Sequence, residues 1–420
     1  MNKYGINLVL LVLIMGFAAC GERPESGEPG ESHRFSVVNP LNETVSNAPV
    51  TATLSEIHPS LDHCNFQLFQ VGGESVDDVG MRELPSQCDD LTGNGEPDEL
   101  FFLADFDAQQ TLDFELRTVA ERPEYAPRTQ AFLQVMTGGY FEDGEYRNAT
   151  GMEKVTRQEV PDEHEPGSGW AYMDGPVWES DLVGYRFYLD SRNRIDIFSK
   201  SMPDLVLDTI TQNYHQIHPW GTDVLVVGPS LGLGSFAALH GEEIQVIDNW
   251  SANLYELVVD GPLRSIIRMT YNDWEVFGQV VTVVKEIEIH ASHRYTEQRF
   301  YLTGDYENMT FATGIARHES VERMHAGNHA ESLFGWTTGK QADQGDGLDM
   351  GVIVPQKYQP EVQEGDPHTY LISFHAPEGE VAYRYTSAWE LDHEPVEDFE
   401  AHLRETAAMF TNPPRLLADN

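Results

Sequence analysis

Residues 285–291 read Lys285-Glu-Ile-Glu-Ile-His-Ala291, an alternation of polar and apolar side chains. Alternation with a period of two places Ile287, Ile289 and Ala291 on one face of a strand and Glu286, Glu288 and His290 on the other. Just upstream, Leu254 to Tyr271 predicts two strands joined across an Asp260-Gly261-Pro262 turn. Arg194-Ile-Asp-Ile-Phe-Ser-Lys200 alternates again, and Asp223-Val-Leu-Val-Val-Gly228 predicts a short buried strand. Towards the N-terminus, Glu99 to Leu103 and Thr111 to Val119 predict further short strands. Gly and Pro punctuate these runs as they do in sandwiches, so the fold class expected is all-β. One helix is expected to start near Pro395, with Phe399, Leu403, Ala407 and Phe410 at helical spacing, packed on a sheet as a cover.

The rest of the chain divides around this body. Lys3, the apolar run Ile6 to Phe17 and Ala18-Ala19-Cys20 form a signal peptide over residues 1–19. The run is too short to span a bilayer stably, and Cys20 at the cut predicts a lipid anchor. Residues 20–33, rich in Gly, Glu, Pro and Ser, predict a flexible acidic tether. Gly21 points to outer-membrane placement, with the membrane met only through the anchor. A boundary near residue 130 separates an N-terminal β region, 34–130, from a longer-stranded body, 131–410. Cys64 and Cys88 most simply pair in an exported chain; two buried thiols are the alternative.

The 420 residues carry 69 acidic and 26 basic side chains, a net charge of −43, with 40% hydrophobic residues. The charge excludes a generic nucleic-acid partner, since nothing would neutralise a phosphate backbone. The apolar content excludes disorder. Only six of the basic residues are Lys. An acid-rich, Lys-poor surface suits a salt-adapted organism; an ordinary acidic secreted protein is the plainer reading. Oligomeric state is not legible.

Several motifs bear on chemistry. Asp90-Leu-Thr-Gly-Asn94-Gly-Glu-Pro-Asp98 resembles an acidic calcium loop, which predicts a structural Ca2+ on Asp90, Asn94 and Asp98; position twelve is Phe101 rather than a bidentate Glu. A polar turn ahead of a strand is the alternative. The histidine spacings argue against a catalytic transition metal. His325 and His329 lie four apart around Ala-Gly-Asn, a poor helix. His290 and His293 are expected on opposite strand faces. His215 and His218 precede Pro219, which forces extended or loop backbone. Gly228-Pro-Ser-Leu-Gly-Leu-Gly234 lacks a phosphate-loop Lys and reads as a tight turn or close backbone approach, with Ser230 only formally spaced as a nucleophile.

The densest chemistry lies in Gly175-Pro-Val-Trp178-Glu179-Ser-Asp-Leu-Val-Gly-Tyr185-Arg186 and Tyr214-His215-Gln-Ile-His218-Pro-Trp220-Gly-Thr-Asp223. Trp beside carboxylate, Tyr, Arg and His is the palette of a carbohydrate site: aromatic faces stack on sugar CH surfaces, and planar groups bind hydroxyls and carboxylates. The competing reading is that Trp178 and Trp220 are core and the charges form structural pairs.

The same segments, extended to GPVWESDLVGYRFYLDSRNRIDIFSK and YHQIHPWGTDVLVVGPSLGLG, with DDLTGNGEPDELFFL upstream, resemble a family of exported bacterial proteins catalogued as domain of unknown function 4861. The resemblance covers most of residues 35–410. It implies a β-supersandwich core like galactose mutarotase and work on uronic-acid oligosaccharides of the ulvan type, as an oligosaccharide dehydratase, with no cofactor required. The sequence departs from the family pattern at Gln216, where an acidic residue is expected. The chemistry implied is β-elimination from a terminal uronate. His215 or Tyr214 would take the C5 proton, Arg186 would clamp the carboxylate, and His318 would carry a second proton. Glu179 and Asp223 would orient partners. Trp178, Tyr185, Trp220 and Trp336 would line the sugar, and Lys200 is a lesser base. Arg317 and Arg323 complete the expected cationic pocket. An eliminative lyase, a mutarotase or epimerase, and a non-catalytic glycan-binding lipoprotein are the rival readings.

Overall fold

The computed structural model describes residues 30–72, 80–210 and 213–417. The expected anchor at Cys20 and the signal peptide lie outside the described residues. The alternating stretch sits mid-sheet. Gln279–His290 pairs antiparallel with Arg264–Val276 on one side and Thr296–Gly304 on the other. These are central strands of a nine-stranded sheet that continues through Ala252–Asp260 to Arg157–Glu159 at one edge. At the other it runs through Glu380–Trp389, Leu348–Pro355 and Ser332–Thr337 to His325–His329. Ile287, Ile289 and Ala291 are buried, whereas Glu286 and Glu288 are partly exposed, as period two dictates.

A six-stranded sheet covers the inner face. Its order is Gly151–Val155, Thr129–Thr137, Val177–Ser180, Val183–Phe187, Ile195–Lys200 and Gly221–Asp223. A five-stranded sheet built on Thr310–Ala316 and Thr369–Phe374 completes that layer. The main core lies between the layers, with Trp178, Tyr185, Phe187, Ile195 and Ile197 meeting Ile267, Met269, Tyr271, Ile287 and Tyr385. The architecture is an all-β sandwich. A smaller N-terminal unit has its own core, with Phe35, Leu68, Phe102 and Phe114 packed together.

Several expectations need correction. The tether was expected to run to residue 33, but Ser32–Val38 is already a strand paired with Thr111–Thr118. A boundary at 130 omits Arg415–Leu416, which returns to pair with Val37 and Val38. Asp223 to Gly228 is not a strand: pairing stops at Asp223, Val226 is exposed, and Gly228 turns the chain at φ +51°. Ile195–Lys200 is buried throughout, so its alternation separates two covered faces rather than core from solvent. The helix is Phe399–Thr411, capped by Asp398, whose carboxylate accepts from the Ala401 N–H at 3.0 Å. Pro395 therefore lies ahead of the cap. His325–His329 is a strand. His290 and His293 do not face apart: the strand ends at His290, Ser292 adopts φ +62°, and the turn brings the two rings to 6.1 Å.

Candidate functional site

Sheet register builds the site. Arg186 lies directly opposite Asp196, and Phe198 opposite Asp223. Tyr185 and Phe187 point into the main core, so Arg186 points outward, as do Asp196 and Phe198 on the next strand. The segment after Lys200 then folds over this outer face, packing Leu207, Ile210, Tyr214 and Trp220 onto Phe198 and Val177. Three charges are thereby enclosed: Arg186, Asp196 and Asp223 are each at most 2% exposed.

The enclosed groups bond one another, with the buried Arg186 Nε left without a partner. The Arg186 guanidinium donates to Asp196, to Asp223 at 3.3 Å, to the Tyr188 hydroxyl at 2.9 Å and to the Tyr214 hydroxyl at 3.0 Å. Tyr188 in turn donates to Asp196 at 2.9 Å. At the surface edge, His215 Nδ1 stands 3.4 Å from Asp223 Oδ2, with the imidazole 61% exposed. Burial opposes the charge of Arg186, but Asp196, Tyr188, Asp223 and Tyr214 outweigh it and hold its proton well above the ordinary Arg value. Burial, and then the Asp196 charge, push the Asp223 carboxyl well above the usual carboxylate range, against the pull of Arg186. The result is an exposed imidazole backed by a buried acid, beside a phenol whose oxygen already accepts from a cation.

Of the expected site residues, Arg186, Tyr214, His215 and Asp223 come together. Arg186 is not a substrate clamp, because its guanidinium is enclosed and occupied by two carboxylates. Glu179 and Lys200 form a separate ion pair at 2.7 Å, both side chains fully buried. Glu179 also accepts from Gln130 at 2.5 Å and from the Val206 and Leu207 N–H groups at 2.8 and 2.7 Å, so it fastens the covering segment to the sheet. Neither reaches a substrate. Trp178 and Tyr185 are core: Trp178 donates to Thr296 at 2.9 Å, and Tyr185 to the Arg294 carbonyl at 2.7 Å. They offer no face to a sugar. Trp220 is half-buried at the site's edge, parallel to His218 at 6.0 Å.

Four residues lie elsewhere. His318 is half-buried and bonds Ser320 at 2.8 Å. Arg317 lies over the Tyr370 ring at 4.2 Å and donates to the Thr369 carbonyl at 3.2 Å. Arg323 is exposed, with no ion pair among the described residues. Trp336 stacks on His325 at 5.2 Å beside the helix cover.

The Asp90–Asp98 loop closes on itself. Asp90 accepts N–H bonds from Gly93, Asn94 and Gly95, and Asp98 accepts from Leu91 and Thr92. Asn94 accepts from Glu96 at 2.7 Å. No group of three or more His, Cys, Asp or Glu side chains poised for a metal occurs among the described residues. The oxygens face backbone amides, which does not fit a calcium cage. Cys64 and Cys88 are joined by a disulfide.

Sequence reasoning missed Asp196, Tyr188 and Gln344. The first two share the parity of Arg186 across a hairpin, which was the available signal. Gln344 bridges the His215 and Asp223 carbonyls, at 3.0 Å each, from a distant loop, and nothing in its surroundings announces that.

A family model described as domain of unknown function (DUF4861) matches residues 37–416. Comparison with curated proteins finds no match. Among solved structures, a glycosyl hydrolase family 38 protein from Enterococcus faecalis is 8% identical with a TM-score of 0.47; the match covers 93% of this chain and 47% of that one. An alpha-mannosidase from Enterococcus faecalis V583 is 9% identical with a TM-score of 0.39, covering 93% and 46%. The chain thus spans about half the length of these solved structures.

Proposed function

This chain belongs to the DUF4861 family, and from that premise we propose that it is a carbohydrate-active lyase that dehydrates the terminal uronate of an oligosaccharide. The observation that carries the reading is the exposed His215 imidazole backed by the enclosed Asp223, with the Tyr214 hydroxyl held by the same Arg186. Asp223 orients Nδ1 and leaves Nε2 facing outward as the base. His215 takes the C5 proton, the C–H electrons form the C4–C5 double bond, and the C4–O4 bond breaks. Tyr214 donates its proton to the departing hydroxyl, which leaves as water, and the Arg186 cation beside it stabilises the phenolate formed. The proton on His215 returns to Tyr214 through solvent. The clamp on the substrate carboxylate comes from outside this cluster.

The test is incubation of purified protein with saturated uronate-ended oligosaccharides, followed by enoate absorbance and mass spectrometry. Loss of one water per chain end supports the reading. Chain shortening instead identifies a polysaccharide lyase, and no change of mass refutes both. His215→Ala should abolish turnover with an unchanged melting curve.

A further inference from the structure

On the opposite face of the sandwich, a groove of about 1070 Å³ separates the outer side of the nine-stranded sheet from the N-terminal unit. Its floor follows from strand parity. Ile267, Ile287 and Phe300 point to the core, so Arg268, Glu286 and Arg299, adjacent across three strands, point into the groove. Pro49, Thr51 and Glu56 form the facing wall, and Lys357 stands at the rim.

The groove is unusual in this chain for its density of charge of both signs, cations included. Six of its 30 lining residues are Arg or Lys, against 26 in the 420 residues of the chain. Arg264 and Arg384 are buried in carboxylate pairs. Arg299 is different: its side chain is 47% exposed and meets only Glu297 as an ion-pair partner among the described residues. Lys357 is exposed and has no carboxylate partner among the described residues. Their N–H donors face the groove. Seven glutamates line it as well, Glu286, Glu331 and Glu380 among them. That mixture disfavours a bare polyanion, which the carboxylates would repel. It suits a molecule with both an anionic group for the cations and hydroxyl hydrogens for the carboxylates.

We propose that this groove binds an anionic oligosaccharide, with Arg299 and Lys357 gripping its carboxylate or sulfate groups and the glutamates accepting from its hydroxyls. The site lies on the far side of the core from His215 and does not depend on the catalytic reading.

The experiment is calorimetric titration of the full chain with four probes: a galacturonate tetrasaccharide, a sulfated carrageenan tetrasaccharide, neutral cellotetraose and inorganic sulfate. Either anionic tetrasaccharide should bind more tightly than cellotetraose, and the pattern between them tells carboxylate from sulfate. Arg299→Gln and Lys357→Gln should each weaken that binding about tenfold, the effect of losing one charge-assisted contact. Lys357→Gln removes no ion pair, so it tests the site while leaving the carboxylate pairs in place, and Arg323→Gln, at an exposed cation outside the groove lining, should keep full affinity. Failure of both anionic saccharides to bind, binding of inorganic sulfate alone, or unchanged affinity in both groove variants overturns the proposal. Loss of saccharide binding in Arg323→Gln would also overturn it, by placing the ligand outside the groove.

Discussion

Glu179→Gln should unfold the protein more readily without touching any reacting group. Glu179 and Lys200 are both fully buried and 2.7 Å apart. One Glu179 oxygen already accepts from Gln130, Val206 and Leu207, the other from Lys200. A glutamine must keep its carbonyl towards the two backbone N–H groups, which turns its NH2 onto the Lys200 ammonium, donor against donor. Lys200 then retains only the Ser180 carbonyl, at 2.8 Å. Breaking one partner of such a pair costs about 3–5 kcal/mol, because an uncompensated charge stays buried. Lys200→Met should fall at the lower end, since Glu179 keeps three donors. The double variant should recover much of the loss, because replacing both partners with uncharged groups removes the stranded charge. Urea denaturation of the four proteins gives the cycle. A Glu179→Gln protein with wild-type stability but no turnover would refute the structural assignment and return Glu179 to the reaction. Additive single effects would refute the pairing.

Three further outcomes are expected. Burial, and then the charge of His290, hold the His293 imidazole down at about 3, below an unfolded value of roughly 6.5. Its contribution is therefore present above pH 6.5 and lost as pH falls; by linkage, wild type should lose about 2 kcal/mol between pH 6.5 and 5 that His293→Gln does not. Parallel denaturation series at the two pH values check this, and parallel slopes would contradict it. Gly234→Ala places a Cβ 2.2 Å from the Tyr385 ring at φ +77°, and that ring is buried edge-on against Tyr185. Strain plus overpacking should cost about 2–4 kcal/mol in the same assay; an unchanged midpoint would show that the ring yields. Replacing Cys64 and Cys88 by Ser opens a link of sequence separation 24, which should cost about 3.5 kcal/mol on loop entropy. A reductant should then move the wild-type midpoint and leave the double variant unmoved.

The sandwich was legible wherever one strand face meets solvent or a groove, as at Lys285 to Ala291. There, period two separates Ile287 and Ile289 from Glu286 and Glu288 without ambiguity. The site was only half legible, because both faces are covered in the four strands from Val177 to Asp223. Polar residues on a doubly buried sheet are there to satisfy one another, and in sequence such satisfied pairs carry the same letters as a catalytic palette. Trp178, Glu179, Tyr185 and Lys200 were misread for that reason. The His290–His293 approach was hidden by a different cause: the reversal runs through Ala291 and Ser292, with no Gly or Pro to mark it.

The scarcity of cations in a chain of charge −43 connects the two faces. Desolvating a charge is costly unless it is paired, and five buried cations sit against buried or half-buried carboxylates: Arg186, Lys200, Arg264, Arg294 and Arg384. Lys285 is the exception. It lies over the Phe187 ring at 3.4 Å with no carboxylate, and burial drives its amine well below the ordinary Lys value, so it avoids the cost by holding its proton weakly. Donors such as the Arg186 Nε stay unpaired, but all six side chains are buried and withheld from an anionic ligand. Among the more exposed cations, Arg299, held only by Glu297 among the described residues, and Lys357 line one groove. On the proposed reading a uronate meets proton-transfer groups at the Asp223 face, while the accessible cations Arg299 and Lys357 lie on the other side of the core. On the two proposals together, recognition of an anionic chain and chemistry at its end lie on opposite sides of the core, which favours a substrate long enough to reach both over a single sugar.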